Sequence, residues 1–197
     1  MNKNSYNKIV EQWQEVRDTA EINTPILEFA KKLPHHSQVL DIGCGTGKPI
    51  AAFLASKEFY VTGIDVAEKM IEKALEFHLD NSEFINIDFQ HFETPKKFDG
   101  IIAWDSLFHL PKEAQLDVYD KIADLLKPNG YFMFTHGTID SEHTNPMFGE
   151  NFYYSSLEKN KVLQLIHKAG MELIKTWENF KEGKDERDWI VLARKAL

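Results

Sequence analysis

The stretch VLDIGCGTG, residues 39–47, constrains the fold more than any other part of this sequence. A short apolar run ends in Asp41, and glycines follow at positions 43, 45 and 47. In an α/β sheet the turn from the first strand to the first helix points at the ligand, and glycine there allows tight turns and close backbone approach. The stretch therefore predicts the end of a strand beside a ligand site.

Short apolar runs alternate with longer amphipathic segments after Pro34, which is typical of βαβ units in a parallel sheet covered on both faces. Apolar spacing in residues 4–32 predicts two further helices before the sheet. The predicted strands are QVLDI, FYVTGI, EFINI, DGIIAW and GYFMFTH, with helices at about 46–56, 66–79, 112–127 and 156–169.

The C-terminal section predicts a hairpin, because MELIKTWENF and WIVLARKA are joined by the short polar run KEGKDERD. Such a link favours antiparallel pairing, so the last strand is expected to run antiparallel. The charged run itself is interpreted as a solvated turn. Residues 137–155 form the longest irregular stretch, in a place where α/β folds keep ligands.

Bulk properties limit the function classes. A length of 197 residues predicts one domain, 1–197, with residues 1–34 as an N-terminal helical extension over the site. The formal charge of −8 disfavours nucleic acid as a partner. No apolar stretch approaches the length of a membrane span, so we expect no membrane partner and a cytoplasmic protein. Cys44 is the only cysteine and is interpreted as a small filler in the glycine loop.

The glycine pattern does not match the dinucleotide fingerprint G-x-G-x-x-G/A, which needs a small residue three positions after its second glycine. That position holds Lys48 in one register and Ile50 in the other. An NAD(P)-binding oxidoreductase is therefore a disfavoured alternative. Asp41 at the entrance of the loop suits a ligand with an ammonium group better than one with a pyrophosphate.

Acidic residues also end the next two predicted strands. Asp65 stands where a carboxylate can accept hydrogen bonds from both ribose hydroxyls, although with Glu68 it also resembles a helix capping box. Asp88 can accept from an adenine amino group while Phe89 covers the ring; the alternative is a turn aspartate beside a core phenylalanine. Together these residues favour a cationic, adenosine-bearing ligand.

With these elements in order, the chain resembles the class I S-adenosylmethionine-dependent methyltransferases from about Gln38 to the C-terminus. The resemblance rests on VLDIGCGTG, VTGIDVAEKMIEKA, FINIDF, FDGIIAWDSLFHLP and LLKPNGYFMFTHG. It implies a doubly wound, mostly parallel seven-stranded sheet with helices on both faces. The implied strand order is 3-2-1-4-5-7-6, with strand 7 antiparallel.

The resemblance also implies how S-adenosylmethionine is bound, with S-adenosylhomocysteine as the product. Gly43, Gly45 and Gly47 would approach the methionyl and ribose parts. Asp41 would lie near the amino group. The other implied contacts are Asp65 with the ribose, Val66 and Met70 beside the adenine, Asp88 with its exocyclic amine and Phe89 beside it, and Ala103 and Trp104 at the methionyl group.

Candidates for a general base must follow the fourth and fifth strands, and the sequence offers His136, Asp105 and His109. His136 ends a predicted strand and has a suitable ordinary pKa, but a loop histidine bonded to backbone is an equal alternative. Asp105 is as well explained as a helix cap, and His109 matches a family histidine that is commonly a supporting residue. Trp104 fits core packing better than a contact with the sulfonium.

The aromatic run FYYS, with Met147, Phe148, Tyr6 and Trp13, is compatible with an apolar lid over a small acceptor, although simple core packing is the more common alternative. Its tyrosines Tyr153 and Tyr154 are further candidate bases. No histidines or carboxylates stand at metal-ligand spacing, so no metal is expected. The acidic surface and the short addition after strand 5 favour a small-molecule acceptor. The main alternative is a catalytically silent S-adenosylmethionine-binding regulatory protein.

Overall fold

Both faces of the central sheet are buried, because apolar side chains alternate between them along each inner strand. In the last strand Trp189 and Val191 belong to one apolar layer, and Ile190 and Leu192 to the other. The same alternation occurs in the fifth strand. Phe132 and Phe134 belong to the first layer, and Met133, which lies between them in the sequence, belongs to the second. The sequence thus requires helices on both sides of the sheet.

The computed structural model describes residues 2–197; Met1, where the predicted domain and its helical extension begin, lies outside them. The helices are α1 (Lys3–Asp18), α2 (Thr24–Lys32), α3 (Ile50–Ser56), α4 (Glu68–Glu76), α5 (Lys112–Leu125) and α6 (Lys159–Lys168). The strands are β1 (Gln38–Ile42), β2 (Tyr60–Asp65), β3 (Ser82–Asn86), β4 (Phe98–Ala103), β5 (Leu126–His136), β6 (Ser141–Met147), β7 (Glu150–Ser156), β8 (Met171–Glu182) and β9 (Asp185–Lys195).

The seven-stranded sheet has the order β3-β2-β1-β4-β5-β9-β8. Strands β1 to β5 pair in parallel, whereas β9 pairs antiparallel with both β5 and β8. With β8 and β9 as the predicted sixth and seventh strands, this confirms the predicted order and the antiparallel last strand. No helix within residues 2–197 combines the length and apolar character needed to cross a membrane.

Residues 137–155 are not irregular, contrary to our expectation. Strands β6 and β7 form a separate antiparallel hairpin, with Met147 opposite Glu150. The two residues of its turn, Phe148 and Gly149, have φ of 50° and 82°. Positive φ at both central residues is the geometry of a two-residue hairpin turn, so the glycine was the available signal.

The helices at the N-terminus have different contacts. Helix α2 begins after Asn23, whose side chain accepts a hydrogen bond from the Ile26 N–H, and Pro25 lies in its first turn, where proline is favoured. It packs on the sheet face that contains Met133. Helix α1 instead places Val10 against Ala67 and Met70 near the start of α4, close to the glycine loop.

Substitution of Gly100 tests how closely α2 packs on the sheet. A Cβ at this position would lie 2.8 Å from Phe29 Cζ and 2.9 Å from Leu33 Cδ1. Because overpacking forces side chains and backbone to shift, Gly100→Ala should lower the free energy of unfolding by about 1–3 kcal/mol in urea denaturation. Adding Phe29→Leu should recover part of that loss, and equal losses in the single and double variants would contradict this packing.

Candidate active site

The carboxyl ends of the parallel strands meet at one edge of the sheet, where two adjoining cavities open. The first cavity lies over the glycine loop between β1 and α3, and the second lies beside β5 and the β6–β7 hairpin. Nine residues predicted to bind a cofactor line the first cavity: Asp41, Gly43, Gly45, Asp65, Val66, Met70, Asp88, Phe89 and Trp104. The other two, Gly47 and Ala103, are not among its lining residues.

The glycine loop is held in place by strand β2 and by the loop after β4. Gly43 N–H and Cys44 N–H both donate to the Ile64 carbonyl, at 2.8 and 3.0 Å. Gly43 has φ of 76°, and a Cβ there would lie 2.4 Å from Ser106 Cβ. Glycine is therefore required at this position for close packing of protein on protein, as well as for backbone conformation.

The Asp65 carboxylate joins the glycine loop to the start of α4. Its Oδ2 accepts from Gly45 N–H at 3.0 Å, and its Oδ1 accepts from Ala67 N–H at 2.8 Å. Burial raises its pKa to about 6, and the backbone donors oppose that rise. Helix α4 begins at Glu68 after Ala67, so the side chain supports the residue before the helix. Each oxygen keeps a further lone pair for a ligand.

In the first cavity, the Asp41 carboxylate has the least favourable environment for a charge. Its side chain is buried, with 2% of the residue exposed. Burial raises its pKa from 3.8 to about 7, and the nearby Asp65 carboxylate adds to the rise. The Arg17 charge opposes this rise, and no hydrogen-bond donor within residues 2–197 is among its causes. A buried charge without a partner is costly, so the ionised form calls for a cation or donor from a ligand.

The remaining predicted residues enclose the far end of the first cavity and its boundary with the second. Asp88 accepts from Gln90 N–H at 2.8 Å and thereby begins the single 3₁₀ turn Phe89–His91. Trp104 is buried, and the Arg187 guanidinium lies 5.7 Å from the centre of its ring. Asp88 thus both begins a turn and lines the cavity, and Trp104 both packs in the core and lines the cavity.

Five residues line both cavities, and they define the boundary between them. Three belong to α1 and two to the segment after β4: Tyr6, Trp13, Arg17, Asp105 and His109. Trp13 lies on the glycine loop, where its Nε1 is 3.2 Å from the place of a Gly45 Cβ. Helix α1 therefore covers the site.

His109 is tied to α1 with its N-cap residue and to the β6–β7 hairpin. Its Nε2 lies 2.8 Å from Tyr6 Oη, and its Nδ1 lies 2.9 Å from the Tyr153 carbonyl oxygen and 2.7 Å from Asn2 Nδ2. Burial lowers the pKa of His109 to about 4, so the ring is neutral at physiological pH. These contacts join α1, the segment after β4 and the β6–β7 hairpin.

His136 is buried at the floor of the second cavity with both ring nitrogens engaged. Its Nδ1 lies 2.8 Å from the Gly137 carbonyl oxygen, and its Nε2 lies 3.0 Å from Gln115 Oε1. Gln115 is oriented by its Nε2, which donates to the Leu110 carbonyl and to Ser155 Oγ. Burial lowers the pKa of His136. In this arrangement neither nitrogen faces a ligand.

Asp105 is held by an ion pair that the sequence interpretation missed. Arg187 donates from Nε to Asp105 Oδ1 at 2.7 Å and from a terminal nitrogen to Oδ2 at 2.5 Å. Thr135 Oγ1 also donates to Oδ1 at 3.2 Å. The bidentate geometry fixes the carboxylate firmly.

The prediction that residues 181–188 form only a solvated turn is wrong for Arg187. Strands β8 and β9 are long, so their hairpin extends beyond the edge of the sheet and brings this side chain to the site. Nothing local in KEGKDERD distinguishes Arg187, because the cause is the length of the strands. No group of three or more histidine, cysteine or acidic side chains in the described part of the chain is arranged to hold a metal ion.

Removal of the guanidinium tests the Asp105–Arg187 pair. Both side chains are largely buried, with 21% and 16% of their surfaces exposed. Arg187→Leu should lower the free energy of unfolding by about 1–3 kcal/mol, because it leaves a partly buried carboxylate unpaired. Asp105→Asn in the same chain should restore most of this, since asparagine is neutral and tolerates the φ of 54° at this position. A double variant as unstable as Arg187→Leu would contradict the assignment.

Comparisons with known proteins identify the family and the fold. The family model described as a methyltransferase domain matches residues 39–130. A Geobacillus protein named as a methyltransferase, GWCH70_2453, is 35% identical over 112 residues, which cover 54% of this chain and 45% of that protein. YqeM of Bacillus subtilis, also named as a methyltransferase, is 32% identical over 175 residues, which cover 81% of this chain and 70% of YqeM.

A solved structure shares the whole architecture. Magnesium protoporphyrin IX methyltransferase from Synechocystis, crystallised with S-adenosylmethionine, superposes with a TM-score of 0.72 at 17% identity, covering 100% of this chain and 98% of that one. At that identity the likeness concerns the fold. Taken with the 32% identity to YqeM over most of both chains, it shows that this chain belongs to the class I S-adenosylmethionine-dependent methyltransferases.

Proposed function

We propose that this chain transfers the methyl group of S-adenosylmethionine to a small molecule that binds in the second cavity. The observation that carries the proposal is the shared wall: two cavities meet at Tyr6, Asp105 and His109, and the first contains an unpaired buried carboxylate. Such a pair of sites suits one ligand that gives a group and another that receives it.

The residues of the first cavity fit the donor. Asp41 is placed to receive the ammonium group, which would satisfy its otherwise unpaired carboxylate. The open lone pairs of Asp65 are available to the ribose hydroxyls, and Asp88 with Phe89 to the adenine. Arg17, whose guanidinium carbon lies 5.6 Å from the Trp13 ring centre, is assigned to the carboxylate of the donor.

When bound, S-adenosylmethionine supplies a methyl group on a positively charged sulfur that is itself the leaving group. The protein has to align the acceptor with that group, and alignment alone lowers a barrier by up to about 7–11 kcal/mol in favourable cases. Helix α1 contributes by excluding water, because Tyr6 and Trp13 cover the junction of the two cavities. Of the predicted extension, α1 supplies this cover, whereas α2 packs on a face of the sheet and lines neither cavity.

The contacts favour positioning roles for the three candidate bases. His109 has Tyr6 Oη on one nitrogen and the hairpin backbone on the other, so it orients Tyr6 at the junction. His136 orients Gln115 and the cavity floor. Asp105 is neutralised by Arg187 and fixes the segment after β4. Tyr6 is a better candidate than these three for a group that binds a ligand. Burial raises its pKa well above the ordinary value, so its side chain stays a neutral phenol.

Turnover distinguishes this function from a silent binding protein. The full chain would be incubated with S-adenosylmethionine carrying a labelled methyl group and a fractionated metabolite extract, and methylated products identified by mass spectrometry. We expect label in a small molecule, with one S-adenosylhomocysteine formed per methyl transferred. Tight donor binding without labelled product across broad acceptor pools would instead support a regulatory role.

Proton release tests the assignment of Asp41. At pH 6 most of the ligand-free protein carries a proton on this residue, because its pKa is about 7. A bound ammonium group favours the carboxylate, so binding S-adenosylhomocysteine should release up to about one proton and weaken as the pH falls below 7. Calorimetry at pH 6 in buffers of different ionisation enthalpy measures this release.

Asp41→Asn is the matched control, since it keeps the size of the side chain but cannot titrate. The variant should bind S-adenosylhomocysteine more weakly, with proton release reduced by the share due to Asp41. The folded pKa exceeds the ordinary one, so the ligand-free wild type should also gain stability as the pH falls from about 7 to about 4. Equal proton release in both proteins would contradict the role given to Asp41.

A further inference from the structure

One wall of the second cavity is built from three stacked rings. Tyr154 lies between the other two in the series, with its centroid 5.7 Å from Phe108 and 5.5 Å from His143. The planes differ by 29° and 12°, so the three rings are close to parallel. All three line the cavity, and none is fully buried. Parallel rings at these separations are offset, which leaves part of their faces uncovered.

Helix α1 adds two more rings to the same cavity. Tyr6 and Trp13 contact each other edge to face with centroids 5.6 Å apart, and Phe152 supports Tyr6 from the hairpin at 4.7 Å. Tyr6 also lies at the boundary with the first cavity, where its hydroxyl is held by His109. The cavity is therefore aromatic from its boundary with the donor site to the hairpin.

The charged and polar groups of the floor are already paired within the protein. Arg187 and Asp105 neutralise each other, and both nitrogens of His136 face protein oxygens. Two further carboxylates line this cavity: Glu186 is paired with Lys181, and Asp188 is exposed and disfavours anions. Arg17 also lines this cavity but is assigned to the donor, so the affinity of a second ligand must come mainly from contact with the rings and with apolar neighbours such as Ile139 and Met147.

We propose that the acceptor is an uncharged planar aromatic or heteroaromatic molecule, whose ring lies against Tyr154 and whose reacting atom is held by the Tyr6 hydroxyl. This inference rests on the proposed function, because it names the substrate class of the same site. A flat ring matches a wall of parallel rings better than a puckered one does, since stacking requires continuous contact between faces.

Two probes of matched size test the proposal: 2-naphthol, which is planar, and decahydro-2-naphthol, its saturated counterpart. Both are titrated into the full chain saturated with S-adenosylhomocysteine, and binding is measured by ligand-observed NMR and calorimetry. We expect 2-naphthol to bind about tenfold more tightly than the saturated alcohol. The prior titration with S-adenosylhomocysteine reports independently on the donor site.

Variants of Tyr154 test where 2-naphthol binds. Tyr154→Leu should weaken 2-naphthol about tenfold, while Tyr154→Phe, which keeps the ring, should leave its affinity within twofold. Tyr60→Leu is the matched control, because Tyr60 is an exposed tyrosine at the start of β2 and lines neither cavity. All three variants should bind S-adenosylhomocysteine like the wild type, which shows that they are folded.

Three results would overturn the inference while leaving the proposed function intact: equal affinity for the two probes, no loss in Tyr154→Leu, or no binding of either probe to a chain that binds S-adenosylhomocysteine. Failure of the wild-type chain to bind S-adenosylhomocysteine would overturn the proposed function itself.

Discussion

Two carboxylates buried at one edge of the sheet govern the rest of the site. Asp41 lies one residue before the end of β1 and Asp65 ends β2, and the parallel pairing of these strands brings the two groups together. The Asp65 carboxylate raises the cost of ionising Asp41, because like charges in a buried place repel. The fold satisfies Asp65 with two backbone donors and leaves Asp41 without any. Among the described residues only the Arg17 charge favours the ionised form of Asp41, so a cation or donor from a ligand would add to that stabilisation.

Much of the fold could be predicted because its signals are local. The alternation of strands and helices, the glycine loop and the polar link between the last two strands each act within a few residues. Helix α3 nevertheless begins at Ile50 and not near 46, because Gly47 has φ of 81° and cannot belong to a helix. The β6–β7 hairpin was missed since its strands carry mixed polar residues, and its pairing depends on a separate small sheet.

The residues of the site also divide into those that local sequence signals predict and those that they do not. The residues expected to bind the donor follow directly from strand ends, and nine of them line one cavity. Whether a histidine is free to act as a base cannot be predicted in this way, because it depends on partners that are distant in the sequence. These partners are Gln115 for His136, and Asn2 with Tyr6 for His109. The Arg187 contact with Asp105 spans 82 positions in the sequence. Burial and pairing of this kind arise only from tertiary structure.

Helix α1 has a consequence for how the two ligands influence each other. Tyr6, Trp13 and Arg17 belong to the walls of both cavities, so neither cavity can change shape at these side chains without changing the other. Binding free energies linked through a common element are reciprocal. Whatever factor the first ligand applies to the affinity of the second, the second applies to the first.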